Sequence, residues 1–124
     1  MGETKNEKGT VLAAVDDIFF AAKIRGTGES IGVEVKTARS QEKFFEKLYE
    51  LKPSKIIVDL HSENIDALEI ARKVKSDEAL KHIPLIGFFS HVHVELMEKA
   101  KRGGFDTVLP RSAFTKNLTK ILLE

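Results

Sequence analysis

Three aspartates follow apolar runs of the chain, where their carboxylates could carry out acid or metal chemistry. Asp16 and Asp17 come directly after residues 11–15, and Asp59 comes after the β-branched stretch at 56–58. Carboxylates held a few Å apart cannot all stay ionised unless a cation binds or their pKa values rise. Oxygen ligands favour a hard ion, and Mg²⁺ typically takes one or two carboxylates and keeps several waters. If the three side chains meet, they predict an acidic pocket suited to Mg²⁺.

A second interpretation gives the same residues a purely structural role. Asp is favoured at helix N-caps and in turns, because its side chain accepts hydrogen bonds from nearby backbone amides. Asp16 and Asp17 could both cap a helix that begins at Ile18, which would leave Asp59 alone in the pocket. Asp59 itself could merely cap the turn that follows it. Both interpretations remain open at this point.

Apolar periodicity predicts the strands that position these acids. Continuous apolar runs at 11–15 and 83–89 are typical of buried strands, and so is the short apolar run within 55–60 that ends in Asp59. Residues 33–38 alternate between apolar and polar, which predicts an edge strand, and residues 107–109 predict a short last strand. Each strand is followed by a segment with helical spacing.

Capping and breaking residues predict where the helices begin and end. The first helix should start over Ile18 to Ile24, and the glycines at 26, 28 and 32 should break its pattern. Ser40 precedes the second helix and Pro53 closes it, whereas Asn64 or Asp66 can cap the third. The fourth helix should end at the glycines 103 and 104, and Ser112 can cap a single final helix.

Strands that alternate with helices predict an α/β fold with a mainly parallel sheet and helices on both faces. We predict a doubly wound (βα)5 sheet of five strands in the order 2-1-3-4-5. In that order the first and third strands are neighbours, so Asp16, Asp17 and Asp59 converge at the carboxyl ends of the strands, where such sheets bind ligands.

Length and composition bound the setting. The 124 residues, 42% of them hydrophobic, suit one domain over 10–124 preceded by a disordered tail over 1–9. No apolar run reaches the length of a membrane span and the first residues are too polar for a signal peptide, so we expect a cytoplasmic protein with no membrane partner. A net charge of +1 gives no reason to expect nucleic-acid binding, and the lack of cysteine excludes thiolate chemistry.

Taken together, these residues resemble the receiver domain of response regulators. The resemblance rests on the acid pair, on Asp59, on the Ile83-Pro84-Leu85-Ile86 opening of the fourth strand and on Gly104-Phe105-Asp106 before the fifth. It spans residues 10–124 and implies a flavodoxin-like domain that uses Mg²⁺ to take a phosphoryl group from a histidine kinase.

The resemblance also implies roles for individual residues and partners. Asp59 would be the phosphoacceptor and Asp17 a metal ligand, while Asp16 would act through water and the backbone carbonyl of His61 would complete the protein ligands. The phosphoryl donor would be a histidine kinase or phosphotransfer protein. A protein effector would bind the α4-β5-α5 face, which is formed by the last two helices and the fifth strand, and a homodimer is also compatible with this pattern.

The sequence departs from the receiver pattern at the positions that read out phosphorylation. Phe89 stands where a Thr or Ser hydroxyl is usual, and Ser90 would supply that hydroxyl only if the strand slipped by one residue. Arg111 replaces the usual lysine, which keeps the positive charge but not the shape of an ammonium. Val108 replaces the aromatic residue of the switch. The acidic residues of the phosphorylation site are therefore retained, whereas the residues that would couple it to the output are changed.

Three hypotheses follow from this pattern. The first is a stand-alone receiver that is phosphorylated on Asp59 and signals through protein contacts, with at most self-catalysed phosphotransfer as its chemistry. The second is a pseudo-receiver, meaning a protein-interaction module that works without phosphorylation. The third is a small Mg²⁺-dependent phosphatase-like enzyme, against which stands the lack of a glycine-rich phosphate loop.

Overall fold

The computed structural model of the protein describes residues 9–124. Its strands are β1 (Thr10–Ala14), β2 (Glu34–Ala38), β3 (Lys55–Asp59), β4 (Leu85–Phe89) and β5 (Thr107–Pro110). Its helices are α1 (Ile18–Ile31), α2 (Gln41–Leu51), α3 (Ala67–Ser76), α4 (Val94–Gly103), α5 (Arg111–Lys116) and α6 (Leu118–Leu123). Apart from Gly9, the tail predicted over residues 1–9 lies outside the described residues.

The five strands form one parallel sheet in the order β2-β1-β3-β4-β5, which confirms the predicted fold class and strand order. Ala14 at the end of β1 pairs with Val58, and Asp59 at the end of β3 pairs with Phe88. This register brings the segments after β1, β3 and β4 to one edge of the sheet. Within residues 9–124, no helix is both long and apolar enough to cross a lipid bilayer.

Two hydrophobic layers cover the sheet, one on each face. Successive side chains of a strand point to opposite faces, so Phe88 packs with the layer under α1, α5 and α6 and Phe89 packs with the layer under α2, α3 and α4. Phe88 is fully buried, and its ring centroid lies 5.1 Å from that of Phe20 and 4.8 Å from that of Phe114. This aromatic stack lies beneath the edge that carries the acids.

The prediction that glycines break the first helix is confirmed at Gly32 but wrong at Gly26 and Gly28. The helix continues through Gly26 and Gly28 to Ile31 and ends at Gly32, whose φ of 77° is the left-handed conformation that favours glycine. A Cβ on Gly28 would lie only 2.6 Å from the carbonyl oxygen of Val33, so α1 lies against the start of β2 more closely than a side chain would allow. This packing offsets the poor helix propensity of glycine.

The prediction of one final helix capped by Ser112 is also wrong. Helix α5 begins at Arg111 directly after Pro110, with no side-chain cap, and Asn117 separates it from α6. The Asn117 side chain donates a 2.8 Å hydrogen bond to the carbonyl oxygen of Ala113. A side-chain amide that bonds the backbone in this way competes with regular helical hydrogen bonds, which accounts for the break.

Candidate functional site

Asp59 is the most buried carboxylate at the carboxyl edge of the sheet. It ends a strand whose residues are all buried, and only 7% of its own surface is exposed. One of its oxygens, Oδ1, accepts a 2.9 Å hydrogen bond from the backbone N–H of His61. Burial raises the pKa of Asp59, the His61 N–H opposes that rise, and the negative charge of Asp16 adds to it. The site therefore holds one carboxylate in an environment that disfavours its charge.

Asp17 caps helix α1, as the structural interpretation predicted. Its Oδ1 accepts hydrogen bonds from the backbone N–H groups of Phe19 and Phe20, at 3.0 and 3.1 Å. The Phe20 N–H is the largest cause of a lowered pKa for Asp17; partial burial opposes the lowering, and the Phe19 N–H and Arg111 add to it. Asp17 is therefore held as a carboxylate at the edge where Asp59 lies.

Asp16 does not cap the helix, so the suggestion that both members of the acid pair do so is wrong. The half-buried Asp16 accepts a 2.9 Å hydrogen bond at Oδ2 from the side-chain amide of Asn64, which follows β3. Its charge also acts on Asp59. The loops after β1 and β3 are thus joined across the acidic edge.

Arg111 supplies the cation of the site. Its Nη2 lies 3.4 Å from Oδ2 of Asp17, and its guanidinium carbon lies 3.9 Å from the centre of the Phe20 ring. Its charge also lowers the pKa of Asp59, against the larger effect of burial. The position was predicted from the sequence, but the stacking on Phe20 was missed, because the affinity of guanidinium groups for aromatic faces does not indicate which ring will be near.

The side chain of His61 joins two loops of the site. Its Nδ1 accepts hydrogen bonds from the backbone N–H groups of Ser90 and His91, at 3.1 and 3.4 Å. An Nδ1 that accepts carries no proton in this arrangement. The sequence suggested only the backbone carbonyl of His61 as a functional group, and nothing in the sequence pattern pointed to its ring.

The end of β4 lacks the hydroxyl that the receiver pattern places there. Phe89 is buried in the core, and Ser90 is exposed just beyond the strand. Ser90 contacts the site through its backbone N–H, which donates to His61. Val108 in β5 is half-buried and packs against the hydrophobic layer under α2, α3 and α4.

The donors at this edge suit Mg²⁺ in type but are not arranged around an ion. Carboxylate oxygens from Asp16, Asp17 and Asp59 and the backbone carbonyl of His61 are the hard ligands that Mg²⁺ prefers. Across residues 9–124, however, no three acidic or histidine side chains are grouped closely enough to hold a metal. Asp17 is instead occupied by the start of α1 and by Arg111. Binding of Mg²⁺ would require Asp17 to exchange partners.

Comparisons with known proteins give related sequences and related folds. No family model matches the chain. The polar-differentiation response regulator DivK of Brucella ovis is 26% identical over 102 residues, which cover 82% of this chain and 83% of that protein. DivK of Brucella anthropi is 24% identical over the same length.

Solved structures share the whole architecture. The chemotaxis response regulator CheY4 of Vibrio cholerae superposes with a TM-score of 0.80 at 23% identity, over 91% of this chain and 94% of that one. The phosphorylated cyanobacterial phytochrome response regulator RcpA superposes with a TM-score of 0.77 at 20% identity, over 92% of this chain and 88% of that one. These structures establish the likeness in fold.

Proposed function

We propose that this chain is a response-regulator receiver domain that accepts a phosphoryl group on the carboxylate of Asp59 as part of two-component signalling. The observation that carries the proposal is the buried Asp59 at the carboxyl end of β3, with a second carboxylate and a guanidinium held at the same edge. The DivK relatives are named as response regulators, and RcpA, which shares the fold, was solved in a phosphorylated form.

The transfer is a displacement at phosphorus. An oxygen of Asp59 attacks the phosphoryl group of a phosphohistidine on a kinase or phosphotransfer protein, the phosphorus–nitrogen bond breaks, and the released imidazole takes up a proton. The product is an acyl phosphate on Asp59. Because burial disfavours the charge of Asp59, the attacking carboxylate is poorly solvated and needs the His61 N–H and Arg111 to stay ionised.

Arg111 is placed to receive the transferred group. A guanidinium binds phosphate oxygens with parallel N–H groups, and Arg111 already lies beside Asp17 at the acidic edge. Mg²⁺, held by Asp16, Asp17, Asp59 and the backbone carbonyl of His61, would neutralise charge on the transferred phosphoryl group. Arg111 would then release Asp17 and turn towards the phosphoryl oxygens. The modified domain would act through a protein effector at the surface formed by α4, β5 and α5.

A second candidate function, the pseudo-receiver, is favoured by one specific observation. The cation of the site is already paired with Asp17 and stacked on Phe20, so the acidic edge is partly neutralised by the chain itself. Phe89 also fills the place of the switch hydroxyl with a buried ring. In this case the same surface of α4, β5 and α5 would bind its partner, or a second copy of the chain, without phosphorylation.

Intact-mass measurement after incubation with acetyl phosphate and Mg²⁺ separates the two functions. We expect the wild-type chain to gain the mass of one phosphoryl group and Asp59→Asn to gain none. The matched control is Asp66→Asn, which changes an exposed aspartate that caps α3 and which should be modified like the wild type. Absence of an adduct on the wild type at every Mg²⁺ concentration would favour the pseudo-receiver.

Removal of the metal tests the role of Mg²⁺ separately. With EDTA in place of Mg²⁺, we expect the adduct on Asp59 to disappear, since the phosphoryl charge would then be met by Arg111 alone. An adduct of unchanged yield in EDTA would show that Arg111 suffices and that Mg²⁺ is not required, while Asp59 would remain the acceptor.

A further inference from the structure

We infer that His61 couples the state of Asp59 to the β4–α4 loop, residues 90–93, through a hydrogen-bonded connection that runs across its own imidazole ring. This inference rests on the proposed function, because it concerns what a change at Asp59 does to the rest of the chain. It assigns His61 as a positioning residue that transmits the change and does not itself react.

The first link joins Asp59 to the backbone of His61. Oδ1 of Asp59 accepts the His61 N–H at 2.9 Å, and the backbone carbonyl of Asp59 accepts the N–H of Ser62 at 3.3 Å. These contacts fix the turn after β3 to the carboxylate. An acyl phosphate on Asp59 spreads less negative charge over Oδ1 than a carboxylate does, so the His61 N–H loses part of its acceptor.

The second link joins the His61 ring to the β4–α4 loop. Nδ1 accepts the N–H groups of Ser90 and His91, which are the first two residues after β4. The rings of His61 and His91 also lie in contact, with centroids 5.6 Å apart. The loop is otherwise open to solvent, since residues 90–93 are all exposed and Val92 is 78% exposed. A displacement of the His61 backbone therefore moves the acceptor of both loop amides.

The third link joins the loop to helix α4. Nδ1 of His93 accepts the N–H of Leu96 at 3.0 Å and so caps α4, while the His93 carbonyl accepts the N–H of Met97 at 3.0 Å. Only Val92 separates His93 from His91. Movement of the first half of the loop is thus passed to the cap of α4, at the proposed effector surface.

The connection begins at His61, in the loop that directly follows Asp59, and not at the end of β4. Phe89, at the end of β4, has no hydroxyl and its ring is buried in the core, so it offers no polar contact to a group on Asp59. The Ser90 and His91 amides point to His61 instead. A modification shifts a conformational equilibrium only through contacts that differ between the two states, and the hydrogen bonds of His61 are contacts of that kind.

The test compares backbone amide signals of Ser90 and His91 in ¹⁵N NMR spectra of four chains: the wild type, Asp59→Asn, His61→Ala and the double variant. We expect Asp59→Asn to shift both signals in the wild-type background. In the His61→Ala background, Asp59→Asn should change the chemical shifts of these two amides no more than it changes those of amides in the edge strand β2. Equal shifts in both backgrounds would overturn the inference.

Two further variants separate hydrogen bonding from ring packing. His61→Asn places a side-chain oxygen near the position of Nδ1, so the response of Ser90 and His91 to Asp59→Asn should return. His61→Phe keeps a ring against His91 but has no acceptor, so the response should stay absent. A full response in His61→Phe, or none in a folded His61→Asn, would contradict the assignment.

The same spectra recorded with acetyl phosphate and Mg²⁺ keep this inference separate from the proposed function. Intact mass of each NMR sample reports whether Asp59 is modified. Lack of an adduct would count against phosphorylation but leaves the Asp59→Asn comparison valid. An adduct that leaves the Ser90 and His91 signals unmoved would count against the coupling alone.

Discussion

Replacement of Asp59 by asparagine should stabilise the fold at neutral pH. The carboxylate is 7% exposed at the end of a fully buried strand, and burial raises its pKa. Asparagine has nearly the same shape, so the packing is kept, and its neutral Oδ1 can still accept the His61 N–H, although in a weaker hydrogen bond than the carboxylate makes. What the substitution removes is a buried negative charge beside Asp16.

The size of the effect follows from the environment of the charge. A buried polar group whose interactions are only partly met costs roughly 1–3 kcal/mol, and the nearby Arg111 offsets part of that cost here. We therefore expect the free energy of unfolding to rise by about 1–2 kcal/mol. For a chain of 124 residues this corresponds to a Tm increase of about 3–10 °C.

The pH dependence gives the effect its signature. Because the folded-state pKa of Asp59 lies above its ordinary value of 3.8, the folded chain keeps a proton that the unfolded chain releases between those two values. The stability of the wild type should therefore fall as pH rises through that window, relative to Asp59→Asn. Below the ordinary value both states are protonated, and the difference between the two chains should vanish.

Urea unfolding of both chains from pH 3 to pH 8, with Asp66→Asn as the control, measures this difference. Asp66 is exposed and accepts the N–H of Glu69 as the cap of α3, a role that asparagine fills equally well. The control should match the wild type at each pH. An Asp59→Asn chain that is no more stable than the wild type at pH 7, or that is stabilised equally at all pH values, would refute the reasoning.

Two further substitutions test the packing that supports the site. Phe88→Ala removes a fully buried ring whose centroid lies 4.8 Å from that of Phe114. In urea unfolding, it should lower the free energy of unfolding by about 3–5 kcal/mol. A loss under about 1 kcal/mol would contradict the stacking of these rings in the core. Gly28→Ala should destabilise the chain despite better helix propensity, because its Cβ would lie 2.6 Å from the carbonyl oxygen of Val33. Gly26→Ala, whose Cβ meets nothing within 4 Å, should instead stabilise the same helix by about 1 kcal/mol. Thermal unfolding measures both substitutions, and an effect of the same sign for both would show that the close contact between Gly28 and Val33 is absent.

Much of the fold could be predicted because local patterns and global topology agree. Buried strands appear as apolar runs, and the right-handed crossovers of a parallel sheet allow only a few ways of connecting five such strands. The apolar runs and the strand order predicted Asp59 at the carboxyl end of β3, whereas Arg111 at the same edge was predicted only from the resemblance to receiver domains. The helix prediction failed at Gly28, because the sequence shows the poor helix propensity of glycine but not the carbonyl group of Val33, just before β2, that leaves no room for a side chain.

The contacts within the site were harder to predict because they depend on loop geometry. The Arg111–Asp17 pair joins residues 94 positions apart, and its contact with Phe20 requires the precise placement of α5 over α1. The His61 ring meets the amides of Ser90 and His91 only because two loops fold towards each other. Because nearly every residue carries the same backbone N–H, the residue types do not indicate which amides will donate to His61, and this contact could be found only in the structure.

The most direct test of the central claim is to locate the modified residue after acetyl phosphate treatment with Mg²⁺. Borohydride reduces an acyl phosphate to the alcohol, so peptide mapping of the reduced chain identifies the residue that carried the phosphoryl group. We predict a reduced side chain at position 59 and at no other aspartate. Reduction at another carboxylate, or at none, would contradict Asp59 as the phosphoacceptor.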